Sequence, residues 1–194
     1  MVKTIEAALS SLAFSFPDAA QNMRHGEAVG TVLASSSREL SGDTVAADAP
    51  QEMRRYIGTS RVFPDLTKGS MVEIGGKWHL VTSCRTDPVG ASLSFGVSAP
   101  LDEVAAIYRR PGTKIAQPVD VLAVEGEVIE PNGEAFAPTP FRKWYVAFPY
   151  EGWYETTEPQ VGDRMDLDGT SLRVASVAKR DGFFILEARA GRSA

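Results

Sequence analysis

The chain has 194 residues, a formal net charge of −5 and a sequence pI near 5.1. Hydrophobic residues make up 43% and charged residues 23%, which excludes a disordered or fibrous chain because enough apolar surface exists to bury a core. Residues 1–99 carry 9 Lys and Arg against 10 Asp and Glu, and residues 100–194 carry 11 against 15, so neither half has a broad basic footprint for nucleic acid.

The opening segment, MVKTIEAALSSLAF, lacks the basic region and small-residue cleavage site of a signal peptide. No apolar run approaches the roughly 18–20 residues of a membrane-spanning helix, so no membrane partner is expected. Within the N-terminal segment, Ile5, Ala8, Leu9, Leu12 and Phe16 form one apolar helical face, which predicts a helix ending before Pro17. Val32-Leu33-Ala34 and Arg54-Arg55-Tyr56-Ile57 predict strands. Between them, 35–50 (SSSRELSGDTVAADAP) reads as a long polar loop. KGSMVEIGGKWHLVTS (68–83) reads as a hairpin turning at Gly75-Gly76. Trp78, Leu80 and Thr82 alternate there with His79 and Val81, and ASLSFGVS (91–98) supplies a closing strand.

The second half repeats this order. Leu101, Val104, Ala105 and Tyr108 repeat the first four helical spacings at an offset of 96. Asp102 and Glu103 at the start, and Arg109 and Arg110 at the end, suit a helix dipole. Pro111-Gly112 would end this second helix. Val121-Leu122-Ala123 echoes the first strand, and Arg142-Lys143-Trp144-Tyr145 echoes the second. The loop between them is 125–140 (EGEVIEPNGEAFAPTP). VGDRMDLDGTSLRVAS (161–176) parallels the hairpin, with Asp168-Gly169 as a type I′ turn pair and Leu172, Val174 and Ser176 on one face. FFILEARA (183–190) closes the copy. Four matches in one order predict a duplication. The fold expected is mainly β: two tandem small β-barrel or sandwich domains, 1–99 and 100–194, each with an N-terminal helix.

Catalytic and ligand signals are sparse. Cys84 is the only cysteine, so an intramolecular disulfide and a Cys-based zinc cage are excluded and a reducing, cytoplasmic site of assembly is expected. A hydrolase built on Cys84 with His25 or His79 has no supporting motif context. Cys84 reads as a small core or edge residue, His79 as solvent-facing or at an interface, and His25 as loop. DRMDLDG (163–169) superficially resembles a calcium loop, but its first ligand position holds Arg164 and its twelfth Ala175. No phosphate-binding glycine loop occurs, and no cofactor is expected. The cluster of Phe141, Arg142, Lys143, Trp144, Tyr145, Phe148, Tyr150, Trp153 and Tyr154 fits either bases stacked on a barrel or a protein interface. The interspersed Glu151, Glu155 and Glu158 favour the interface.

The sequence of Gly69 or Gly162, strand, glycine turn, strand and closing strand resembles the small head–tail joining proteins of tailed bacteriophages, also called stopper or head-completion proteins. VGDRMDLDGTSLRVASVAKRDGFFILEAR carries the resemblance best, and SSSRELSGD is similar to the family's long mobile loop. The family's single domain per chain differs from the two copies here. The resemblance implies a structural virion protein of the phage neck, not an enzyme, that joins the portal and head to the tail and helps retain packaged DNA. It implies portal or adaptor and tail proteins as partners, a homo-oligomeric ring, and DNA passing nearby without sequence-specific binding. On that reading Arg38, Glu39, Arg142, Lys143, Trp153 and Tyr154 are the expected assembly contacts. The alternative is a β-barrel binding module for nucleic acid or a protein partner.

Overall fold

A computed structural model of the chain describes residues 20–35, 54–87, 91–113, 116–126, 143–151 and 158–190. The chain divides into two compact units, Met1–Leu101 and Asp102–Ala194. Unit 1 holds β1 (Ala20–His25), β2 (Ala28–Ala34), β3 (Arg54–Thr59), β4 (Met71–Ile74), β5 (Lys77–Thr86) and β6 (Ser92–Val97). Unit 2 holds β7 (Asp102–Arg109), β8 (Ala116–Glu125), β9 (Lys143–Pro149), β10 (Arg164–Leu167), β11 (Thr170–Arg180) and β12 (Phe183–Ala190). The described residues contain no helix.

Each unit is a closed barrel of antiparallel strands. Unit 1 runs β1-β2-β3-β6-β5-β4, with β4 paired back to β1. Unit 2 runs β7-β8-β9-β12-β11-β10, with β10 paired back to β7. The two orders are the same walk, so the internal repeat extends to topology. It extends to detail as well. Both hairpin turns use two residues in the left-handed region, Gly75-Gly76 (φ 59° and 79°) and Asp168-Gly169 (φ 46° and 77°), which is what a type I′ turn requires. Both strands after the turn carry a bulge, between Val81 and Ser83 and between Val174 and Ser176. The approach to each hairpin is also shared: Gly69 N–H donates to Val81 O (2.7 Å), and Gly162 N–H to Val174 O (2.9 Å).

The register corrects parts of the sequence reading. The helix expected from Leu101 to Arg110 is β7, whose burial alternates so that Ala106 and Tyr108 face the core. Its partner in unit 1 is β1, because Met23 lies opposite Ile74 as Ala106 lies opposite Leu167. The helix expected over residues 5–16 lies outside the described residues. His25 belongs to β1 and is buried, not in a loop. Tyr56 lies opposite Phe95 as Val146 lies opposite Leu186, which aligns 54–57 with 144–147, two residues beyond the sequence match. The bulge in β11 breaks the expected face: Leu172 and Val174 are core, Ser176 is exposed, and Val177 turns inward.

Unit 1 packs Met23, Val32, Tyr56, Val72, Val81 and Phe95 inside, with Tyr56 and Phe95 stacked at 5.7 Å. Phe63 and Leu66, from the β3–β4 connection, join this core. Phe63 lies over two glycines that leave it room: a Cβ at Gly30 would come within 3.2 Å of Phe63, and one at Gly58 within 3.7 Å. Unit 2 fills its barrel with Tyr108, Val121, Val146, Phe148, Met165, Leu172, Phe184 and Leu186. At about 25 cal/mol per Å² of apolar area, such interiors supply the dominant favourable term for domains of this size.

Candidate interaction surface

At one end of unit 2, β9 and β12 bring three rings together. Phe148 and Phe184 lie 5.5 Å apart, and Tyr150 meets Phe184 edge-on at 4.7 Å. Tyr150 just follows β9 and is fixed by its own N–H, which donates to Gly182 O (2.9 Å). Lys179 of β11 reaches over both outer rings, 5.9 Å from Tyr150 and 5.5 Å from Phe184, and is ion-paired with Glu158. Tyr150 is 38% exposed. Burial pushes its phenol above the ordinary range, with further contributions from Glu158 and Asp181 opposed by Lys179. A partly exposed tyrosine backed by aromatic rings is of the residue type that anchors protein interfaces.

The same end of the barrel is also tied by a buried network, which shares Glu158 with the first cluster. Tyr108 O–H donates to Asp163, and Arg110 reaches Asp163 Oδ2 at 3.1 Å and Tyr108 Oη at 3.1 Å. Gln160 N–H donates to the same Asp163 oxygen at 2.8 Å, and Arg110 donates to Glu158 O at 2.6 Å. Asp163 is 4% exposed, so its charge is held by this set of donors. Burial and the bond to Asp163 push the Tyr108 hydroxyl well above the ordinary tyrosine range. Every named donor has a structural target.

Of the residues expected to make assembly contacts, Lys143 is described, and it is 1% exposed. Its ammonium lies 2.9 Å from Glu187 and 5.1 Å from the Tyr145 ring. Burial works against its charge, but bonds to Tyr145 and Glu187 outweigh that and raise its pKa. Lys143 is therefore a buried strut, because β9 is covered on both faces. Arg38, Glu39, Arg142, Trp153 and Tyr154 lie outside the described residues. Sequence reading missed the Tyr108–Arg110–Asp163 set. The signal was a Tyr-x-Arg in one strand and a Gly-Asp before another, which meet only once the barrel closes.

The isolated chemical groups are accounted for locally. Cys84 Sγ donates to Leu66 O at 3.2 Å, and burial raises its thiol pKa, which lowers the thiolate fraction a nucleophile needs. Of the two places expected for His79, solvent-facing or at an interface, the first is overturned: the ring is buried, and its Nδ1–H donates to Ser98 O at 3.0 Å. Burial lowers its pKa, partly offset by that bond. Asp166 lies in β10 and Asp168 in the hairpin turn that follows it, and Asp166 pairs with Arg109 at 2.7 Å. Among the described residues no group of three or more His, Cys, Asp or Glu is placed to hold a metal ion. Among them, too, no helix is long and apolar enough to cross a membrane. In comparison with known proteins, the chain matches no family model. No curated protein matches it either.

Proposed function

We propose that the protein is a structural component of a tailed-phage neck, joining the portal and head to the tail and helping retain packaged DNA. The observation that carries this reading is the tandem pair of closed six-stranded barrels sharing one strand order. Each is built on the glycine–hairpin–closing-strand unit on which the resemblance rests. Closed barrels leave no unpaired sheet edge, so contacts between copies fall to loops and side-chain patches such as Tyr150 with Lys179. A ring of such units needs heterologous contacts, one patch meeting a different patch on the neighbour. Portal or adaptor and tail proteins are the partners on this reading.

The test is co-sedimentation of the purified chain with portal-bearing heads, followed by negative-stain imaging. A ring at the portal vertex is the expected result. A protein that ignores heads, portals and tails at every concentration tried overturns the reading and favours a free-standing binding module. Substituting Trp153 and Tyr154 with alanine is expected to weaken assembly while leaving the thermal transition in place; assembly at the parent level would remove that stretch from the interface.

A further inference from the structure

Four strands of unit 2 carry an arginine at one level of the barrel. The register pairs Arg109 with Arg164, Arg164 with Arg173, and Arg173 with Arg189. Paired residues project from the same face of a sheet. Their chain neighbours Tyr108, Met165 and Leu172 point into the core, so all four arginines lie on the outer face, and all four are exposed. At a strand spacing of about 4.8 Å the row is about 14 Å long. Lys143 lies opposite Arg189 on β9 but is buried and paired with Glu187, so the exposed row ends at Arg189.

Like charges set directly opposite one another destabilise a sheet. Two carboxylates relieve this row in part: Asp166 pairs with Arg109, and Glu187 lies 2.9 Å from Lys143 and 3.5 Å from Arg189. Four exposed arginines against Asp166 and Glu187, the latter shared with the buried Lys143, leave an excess of at least two positive charges on the open face, in a chain whose net charge is −5. Three of the four corresponding positions of unit 1 are Met71, Leu80 and Ser98, which are 0%, 3% and 1% exposed; the fourth, matching Arg109 in the repeat, is the exposed Gly26. Three of these four positions are thus buried in the first copy, whereas all four are open and basic in the second.

We propose that this arginine row grips the phosphodiester backbone of double-stranded DNA without reading its sequence. Guanidinium forks match phosphate oxygens two at a time. A duplex presents a phosphate about every 3.4 Å of axis along each strand, so the row spans about four. The acidity of the rest of the chain is screened beyond a Debye length of about 8 Å at physiological salt. An acidic protein segment is the competing occupant. It is disfavoured because the outer-face neighbours two residues along are Asp166, Ser171 and Glu187, with Ile107 as the exposed large apolar side chain, and Tyr145, opposite Glu187, is buried, so no exposed aromatic anchor lies beside the row. The inference stands on the register of unit 2 and not on the neck reading. Loss of DNA binding would sink it alone, and failure to join heads would sink the other alone.

The experiment is fluorescence anisotropy of a labelled short duplex titrated with the full chain, between about 50 and 200 mM salt. Binding with a log–log salt slope of about −3 is expected. Arg164→Gln with Arg173→Gln should weaken binding at least about tenfold at low salt and reduce the slope by about 2, since each phosphate left without its cation removes about 0.9. Lys77→Gln with Arg85→Gln, which removes equal charge from exposed positions of unit 1, should leave both unchanged. If the first pair lacks a thermal transition, Arg173→Gln alone reads the same effect at half the slope change. No binding at low salt, equal losses in both pairs, or retention of poly-glutamate but not duplex would each overturn the proposal.

Discussion

Lys143 and Tyr108 show how single side chains carry charge and polarity into unit 2. The Lys143 side chain is 2% exposed and its partner Glu187 is 16% exposed. Removing one member of a buried ion pair leaves the other uncompensated, at a cost of about 3–5 kcal/mol. Lys143→Ala should therefore destabilise unit 2 by about 3 kcal/mol, the low end because Glu187 retains some water, as read by urea unfolding. A change below about 1 kcal/mol would mean that Glu187 finds other solvation. Tyr108 sets a pH dependence. Its folded pKa is raised, so its contribution is fully present below the unfolded value of about 10 and is lost as pH rises through that value towards the folded one. Lys143, also raised, acts in the same direction. Stability should fall above about pH 10, and Tyr108→Phe should make that fall shallower while costing about 1–2 kcal/mol at neutral pH, since Asp163 keeps Arg110 and Gln160. An unchanged alkaline slope in Tyr108→Phe would assign the fall to other groups.

The hairpin is the element in which local chemistry decides most. Gly169 has φ 77° and open space around a Cβ, so Gly169→Ala carries backbone strain alone and should cost about 1–2 kcal/mol. Gly30 is the opposite case, because a Cβ there would lie 2.7 Å from Val62. Its cost comes from displaced packing above Phe63, and thermal melts of the two variants compared with the parent separate the mechanisms. A Gly169→Ala protein melting with the parent would show the turn to be relaxed. Turn pairs of this kind are readable in sequence, and so were most strands after residue 30, because glycine pairs and two-residue alternation both have short range. β7 was not readable as a strand. Val104 and Tyr108 satisfy a helical spacing and a strand alternation at once, and only pairing with β8 and β10 selects the strand. β1 was missed because AQNMRH offers only Met23 and His25 to the interior. The bulges were invisible for a related reason: an extra residue that flips a face is set by the partner strand. The same limit hid the arginine row, whose members are scattered from position 109 to 189 and align only through register.

At the scale of the molecule, each barrel closes on itself; the described core of unit 2 comes from its own strands, while that of unit 1 adds Phe63 and Leu66 from a connection. The core of unit 2 consists of side chains between Ala106 and Ala190, and its edges are joined by the β7–β10 pairing. A closed sheet of this size has the core and the satisfied backbone that independent folding requires. A chain cut to residues 102–194 should therefore fold alone and unfold in one cooperative step, with a urea m-value of about 1–3 kcal/mol/M. Trp144, partly buried against the core, gives a fluorescence signal for that transition, and circular dichroism should report the same midpoint if the step is two-state. Non-coincident transitions, or dye binding typical of loosened packing, would show that unit 2 depends on residues before Asp102. The outcome bears on how the repeat is used. A self-sufficient second barrel can carry a basic row at positions that the first copy has mostly buried, since its stability does not require covering that face. A dependent one would tie the arginine row to whatever completes the fold.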